Sequence, residues 1–223
     1  MRALVGAAAA AALLAGVAHG QTPPRPRPDA DEYALGGAAP GGPESLVLKP
    51  YPGAPWKRIT DKQSARGWIH EQVPASHADT DYSEMLTDQA FVANRGADPA
   101  GFLRTVYAQV GGACDGAKVS GPTPRTEGGV RVAYGIVRCG TQRGERFGVH
   151  IFYKVIDGQA ALYSISWEMR VPPSSDGDLL SFPKGHEAEV AALLRAESQA
   201  DRYLSDQVYL CGGRSTDARC ASR

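Results

Sequence analysis

The chain has 223 residues, which is long enough for one domain of ordinary size with tails. Its 24 basic residues (Lys and Arg) balance its 24 acidic residues, so the formal net charge is zero. A neutral chain has no electrostatic reason to bind nucleic acid or an anionic membrane surface, and we expect neither as a partner.

Residues 1–20 have the composition of a secretory signal peptide. A single arginine precedes an apolar run over 3–17, and the small residues Ala18 and Gly20 suit a cut ahead of Gln21. The run is shorter than the roughly 20 apolar residues that a membrane-spanning helix needs. We therefore predict a cleaved signal peptide, a periplasmic or secreted protein, and no transmembrane segment in the mature chain. A cut after Ala18 and an uncleaved anchor stay open as alternatives.

Residues 21–55 hold nine prolines and many glycines. Such a segment buries little apolar surface and samples extended conformations, so we predict a disordered Pro/Gly-rich tail. Ser45 to Lys49 is the part of this tail that could add a short edge strand. A single α+β domain is expected to follow over residues 56–210.

Apolar and polar residues alternate in five later segments, a pattern that is typical of strands. The predicted strands cover 67–73, 84–92, 130–139, 147–155 and 161–169. Asp98 and Pro99 form a favoured helix start, and Gly111-Gly112 ends that helix. A second helix is predicted from about Glu187 to Leu204.

The order of these elements predicts an α+β fold. We expect one antiparallel β-sheet of about five to six strands with two main helices packed on it. Either one helix covers each face of the sheet, or both helices cover the more apolar face.

The hairpin at Asp157-Gly158 allows its register to be predicted. The apolar residues of both flanking strands are odd-numbered, so the two sets share one face only if opposed residue numbers add to an even total. A loop of three or five residues meets this condition, and we predict such a loop with Gly158 at positive φ. His150 would then share a face with Ser164 or Ser166.

Four cysteines behind a signal peptide indicate disulfide bonds in an oxidising compartment. Three pairings are open. Because Cys114 follows the first helix and Cys139 ends a strand, we favour Cys114–Cys139 together with Cys211–Cys220. The second bridge would close a short loop in a C-terminal tail over residues 211–223. Without a Cys-x-x-Cys pair, the cysteines are not expected to bind metal.

Three histidines are the candidates for chemistry. His70 and His77 lie among acidic residues, and imidazole with carboxylate suits a divalent metal, although the spacing matches no known ligand motif. His150 beside Ser164 or Ser166 could activate a nucleophile. A solvated loop and a hydrogen-bonded core histidine account for the same residues, and catalytic sequence motifs are absent.

The segment from Tyr82 to Phe91, YSEMLTDQAF, resembles a segment of small exported bacterial proteins of unknown function. The strand ending at Cys139 and the Asp157-Gly158 hairpin fit the same plan. The order of elements also resembles the PsbP-like fold, an antiparallel sheet flanked by helices. That resemblance implies a non-catalytic accessory or interaction protein, and it assigns no site residue.

We therefore expect an exported envelope protein of the binding or accessory type, without a cofactor, whose partner is an envelope protein or a small ligand. The alternative is a periplasmic hydrolase or metal-dependent enzyme that uses His70, His77 or His150. A histidine that meets an acidic partner in a concave pocket would favour the enzyme.

Overall fold

The computed structural model describes residue 37 and residues 42–50, 55–178, 185 and 187–222. The predicted signal peptide lies outside these residues, as does much of the predicted tail. The described elements, in chain order, are β1 Glu44–Leu48, β2 Trp56–Ser64, β3 Gly67–Pro74, β4 Glu84–Phe91, α1 Pro99–Gly112, β5 Cys114–Glu127, β6 Val130–Gln142, β7 Gly148–Asp157, β8 Leu162–Val171, α2 Glu187–Asp206 and β9 Val208–Gly212.

Two antiparallel sheets form in the described part of the chain. Seven strands make the main sheet in the order β2-β3-β4-β8-β7-β6-β5, and β1 pairs with β9 in a separate two-stranded sheet. The expected sheet of about five to six strands is therefore wrong. The prediction lacked the two edge strands, β2 and β5. β5 is exposed along most of its length, and its Gly116, Gly121, Pro122 and Pro124 break any apolar alternation.

Helix α1 covers one face of the main sheet over β5, β6 and β7. The Asp98 carboxylate accepts hydrogen bonds from the backbone N–H groups of Ala100 and Gly101 and so caps the helix. Gly135 on β6 lets the helix approach closely, because a Cβ there would lie 1.6 Å from the Tyr107 hydroxyl. The same hydroxyl donates to the Ser120 carbonyl on β5.

Helix α2 covers the opposite face, so each face of the sheet carries one helix. Its buried residues Ala200, Tyr203 and Leu204 pack in one apolar cluster with Phe152 and Trp167 of the sheet. β7 is consequently buried at all of its positions. No helix in the described ranges is long and apolar enough to cross a membrane.

The register of the β7–β8 hairpin differs from the prediction. Asp157 pairs with Leu162 and Val155 with Ser164, so opposed numbers add to an odd total and the loop 158–161 has four residues. Gly158 does not have a positive φ. Close packing accounts for the glycine instead, because a Cβ at this position would lie 2.4 Å from Glu44 Oε1. The parity argument failed because both sheet faces are covered, so apolar residues need not gather on one of them.

Strand β1 lies inside the range 21–55 that was expected to be a disordered tail, and its pairing with β9 adds it to the folded domain. The buried Glu44 carboxylate fastens β1 to the β7–β8 turn. It accepts hydrogen bonds from the backbone N–H groups of Gln159 and Ala160, both at 2.7 Å, and from the Tyr163 hydroxyl at 3.1 Å. Because the two backbone N–H groups lie in a turn, they have no strand partners to satisfy them otherwise.

Two disulfides connect the ends of elements. Cys114 and Cys139 join the start of β5 to β6, with Cα atoms 5.5 Å apart. Cys211 and Cys220 join β9 to the C-terminal turn, with Cα atoms 5.6 Å apart. This pairing is the one that the sequence analysis favoured.

Candidate functional site

His70 lies on β3, on the face of the sheet that carries α2. Its Nδ1 is 2.9 Å from Asp88 Oδ2, which also accepts from the Trp68 indole N–H at 2.9 Å. An acid on Nδ1 is typical of an oriented catalytic imidazole. However, His70 Nε2 lies 3.5 Å from Asp61 Oδ1, and among the described residues no hydroxyl or thiol hydrogen-bonds the ring.

His150 on β7 is fully buried beneath α2. Its Nδ1 is 2.7 Å from Glu197 Oε1, and the Arg138 guanidinium donates to both oxygens of the same carboxylate at 2.9 Å. Burial would raise the pKa of Glu197, but hydrogen bonds from His150 and Arg138 outweigh it and hold the pKa at about 2. This three-residue cluster attaches α2 to the sheet.

The predicted pair of His150 with a serine is not formed. In the observed register His150 pairs with Met169, whereas Ser164 and Ser166 point to the α1 face of the sheet. His77 lies in the loop before β4, where its Nδ1 accepts from the backbone N–H of Ser83. Among the described residues, no group of three or more His, Cys, Asp or Glu side chains could hold a metal ion.

The α1 face carries a band of polar side chains beside the part of the sheet that α1 covers. Register places Glu71 opposite Thr87, Thr87 opposite Ser166, and Ser166 opposite Tyr153. Gln89 pairs with Ser164, and Glu168 follows Ser166 on the same face. We call these residues the polar strip: Glu71, Thr87, Gln89, Tyr153, Ser164, Ser166 and Glu168.

Apolar side chains border the polar strip on both sides. One border is the cluster beneath α1, which includes Leu103 and Ile151, and the other is the small cluster of Val73, Tyr82 and Met85. The polar strip is therefore flanked by apolar side chains, and in ligand-binding sites a few polar groups among apolar ones select the ligand.

Most polar side chains of the strip have no hydrogen-bond partner among the residues that the structure describes. Glu71 accepts a hydrogen bond from the Thr60 hydroxyl. Within the described ranges, no side-chain hydrogen bond is made by the other six strip residues. The polar atoms of these six residues are not fully enclosed, so they open to solvent. The residues themselves are largely buried, with Thr87 6% exposed and Gln89 4% exposed.

Glu168 is the most unusual member of the strip. It is 5% exposed and has no hydrogen-bond or ion-pair partner among the described residues. Burial raises the pKa of its carboxyl to about 7, while the Arg170 charge opposes the rise and the Glu71 charge adds to it. The Arg170 guanidinium itself stacks on Tyr82, 3.9 Å from the ring centroid.

A separate groove of about 400 Å³ lies between α2 and the adjoining ends of β4 and β8. Ser83 and Glu84 line one side, and Leu193 and Ala196 of α2 line the other. Burial raises the pKa of Glu84, while its hydrogen bond with Trp167 opposes the rise. This groove lies on the opposite sheet face from the polar strip.

Sequence reasoning singled out the three histidines and did not identify the polar strip. Thr87, Gln89, Ser164 and Ser166 occupy alternate strand positions, which in a sequence are typical of a solvated sheet face. The informative signal in the sequence was Glu168, an acidic residue between Trp167 and Met169. In the sheet, the neighbours of Glu168 on the adjacent strands are apolar.

No protein-family model matches this chain, and no curated protein matches it in sequence. Among solved structures, it is similar to LpqN, which is involved in cell envelope biogenesis of Mycobacterium tuberculosis. That match has 17% identity and a TM-score of 0.37, and it covers 77% of this chain and 86% of LpqN.

The chain is also similar to the Ran-binding protein Mog1p of Saccharomyces cerevisiae. Here the identity is 12% and the TM-score 0.42, over 83% of this chain and 96% of Mog1p. With identities below 25% and TM-scores below 0.5, neither match carries an argument about function. The resemblance to a PsbP-like fold and to a family of exported proteins stays a prediction.

Proposed function

We propose that this chain is an exported cell-envelope protein that acts as a non-catalytic binding or accessory module, with the polar strip as its binding surface. The observation that carries the proposal is the contrast between the two faces of the sheet. His70 and His150 are held by acidic side chains on the α2 face, whereas six strip residues on the α1 face have no side-chain partner in the described chain.

The difference between the two faces of the sheet supports binding at the polar strip. Apart from Glu71, the strip groups open to solvent and have no side-chain partner among the described residues, so they are free to hydrogen-bond a ligand. A ligand that hydrogen-bonds the strip would satisfy these groups while it covers the apolar borders on both sides.

Export is supported by the N-terminal sequence and by the cysteines. We propose cleavage of residues 1–20 ahead of Gln21, and a mature protein in which Cys114–Cys139 and Cys211–Cys220 persist because the compartment is oxidising. Cell fractionation with N-terminal sequencing tests this. Full-length protein retained in the membrane fraction would contradict it.

The binding surface can be tested by amide chemical-shift mapping on the mature protein. Three classes of probe are titrated: the neutral sugars maltose, cellobiose and sucrose, the cation spermidine, and inorganic phosphate. We expect at least one class to shift the amides of Thr87, Ser164 and Ser166. If no class shifts them, or if the shifts gather around His70 or the groove beside α2, the proposal fails.

Matched leucine variants separate a binding defect from a folding defect. Ser166→Leu places an apolar side chain in the middle of the strip and is expected to remove the shifts. Ser198→Leu makes the same change on the exposed side of α2 and is expected to leave them. Equal effects of the two variants would contradict binding at the strip.

The alternative of a hydrolase or metal-dependent enzyme needs its own measurement. We expect the mature protein, with and without added zinc, to hydrolyse p-nitrophenyl acetate and p-nitrophenyl phosphate no faster than buffer does. Turnover that is lost in His70→Asn, His77→Asn or His150→Asn would replace the binding proposal with the enzyme.

A further inference from the structure

Resting on the proposed binding role of the polar strip, we propose that its ligand is a neutral polyhydroxylated molecule of the sugar class. The strip offers the hydroxyl groups of Thr87, Tyr153, Ser164 and Ser166 and the amide of Gln89. These groups lie side by side across three neighbouring strands, β4, β8 and β7.

The chemistry of these groups matches that of a sugar. A hydroxyl both donates and accepts, and an amide does both with different atoms, so each strip group can bond a ligand hydroxyl in either direction. A site built to bond ligand hydroxyls discriminates strongly against molecules that lack them, because its own polar groups would stay unpaired. Several adjacent hydroxyls therefore favour a ligand with several adjacent hydroxyls.

The charges of the site disfavour an anionic ligand. Glu71 and Glu168 lie on the same face of the sheet, and an anion placed between them would meet two carboxyl groups. The basic side chain beside the strip is Arg170, whose guanidinium is already stacked on the rings of Tyr82 and Phe147.

A cationic ligand is disfavoured by Glu168. To pair with a cation, this carboxyl would have to ionise in a position that is 5% exposed, and the cation itself would also meet the positive charge of Arg170. In its neutral form the carboxyl instead carries one O–H donor and one carbonyl acceptor, which is the pair of functions that a sugar hydroxyl uses.

The protonation of Glu168 therefore controls binding of a neutral ligand. The ionisable groups that act on it are Glu71 on β3, Arg170 on its own strand, Tyr82 before β4 and Tyr153 on β7. Burial raises the pKa values of both tyrosines well above neutrality, so between about pH 5.5 and about pH 8.5 Glu168 is the group that changes its charge.

Isothermal titration with maltose, cellobiose and sucrose from about pH 5.5 to about pH 8.5 tests the proposal. If only the protonated form of Glu168 binds, the affinity of the best sugar falls about 30-fold across this range as the pKa near 7 is passed. Glu168→Gln keeps a neutral hydrogen-bonding group, so we expect it to bind with similar affinity at every pH. Glu84→Gln, at a buried carboxyl on the other face, should keep the wild-type fall.

The outcomes separate this inference from the proposed function. If spermidine binds the strip with an affinity that rises with pH and is lost in Glu168→Gln, the sugar proposal is overturned while the strip remains a binding surface. Phosphate binding at the strip would have the same consequence. If none of the probes shifts the strip amides, both proposals fall.

Discussion

At the scale of single residues, the buried ionisable side chains include some with several partners and others with none in the described part of the chain. Lys154 is fully buried, and its ammonium donates to the Glu127 carboxylate and to the carbonyls of Leu204 and Val208, at 2.6, 3.0 and 2.7 Å. Such an arrangement uses all three donors of the side chain. Glu168 is also buried in the sheet, yet it has no such partners within the described residues.

Glu168→Gln should stabilise the protein above neutral pH. The folded state holds the proton of Glu168 up to about pH 7 and the unfolded chain up to about pH 4.5, so wild-type stability declines by about 3 kcal/mol as the pH rises between these values. The glutamine variant lacks this decline. Urea unfolding at about pH 4.5 and about pH 8 measures it. A gain of the same size at both pH values would show that the carboxyl is not the cause.

Glu197→Gln should destabilise the protein at neutral pH. The low pKa of Glu197 stabilises the fold above about pH 4.5, and this contribution is lost as the pH falls through about 2. At neutral pH the variant leaves Arg138 and His150 without their carboxylate, at an expected cost of about 3 kcal/mol. Urea unfolding measures the loss, with the exposed Glu145→Gln as the control. A loss no larger than that of the control would contradict the role of this cluster.

At the scale of elements, the two-stranded sheet depends on one side chain. Glu44 fastens β1 to the turn between β7 and β8 through three hydrogen bonds to its carboxylate. Glu44→Gln turns one acceptor oxygen into a donor that faces backbone N–H groups. We expect the free energy of unfolding to fall by about 1–3 kcal/mol.

Amide hydrogen exchange can localise that effect. The amides of Val47 and Tyr209, in the β1–β9 pair, should exchange faster in Glu44→Gln, while that of Ile165 in the main sheet should keep its protection. Uniform acceleration in both sheets would mean that β1 and β9 unfold only together with the whole domain.

The two disulfides should contribute unequally. Cys114–Cys139 closes a loop with a sequence separation of 25, and Cys211–Cys220 closes one of 9. From loop entropy we expect the free energy of unfolding to fall by about 3–4 kcal/mol when the first pair is replaced by alanine, and by about 2–3 kcal/mol for the second. Thermal unfolding of the two double variants measures the order. A larger loss from the C-terminal pair would contradict the entropic account.

The elements also show which features the sequence could predict. α1 and the strands of the sheet centre carry strong periodicity, and their predicted bounds lie close to the observed ones. β5 could not be predicted because an exposed edge strand needs no apolar alternation. The hairpin register failed for a related reason: α1 and α2 bury both faces of β7, so residue parity no longer distinguishes core from solvent.

At the scale of the whole molecule, the candidate site is a property of the sheet and of no single segment. Glu71 and Thr87 come from the consecutive strands β3 and β4, and Tyr153 and Ser166 from β7 and β8. These two pairs of strands are far apart in the chain, and the pairing of β4 with β8 brings them together. The histidines attracted attention in the sequence because imidazole is versatile. The fold places His70 and His150 on the other face, each beside an acidic partner.

Glu168 is a buried carboxyl in the proposed binding strip, and it is neutral when a ligand binds there. The most direct test is an NMR titration of the Glu168 side-chain carboxyl carbon in the mature protein, with and without the sugar that binds best. We predict a midpoint near pH 7 in the free protein and a higher midpoint with sugar, because the bound ligand favours the protonated form. A midpoint near the ordinary glutamate pKa of about 4.3, unchanged by any of the three sugars, would contradict the account.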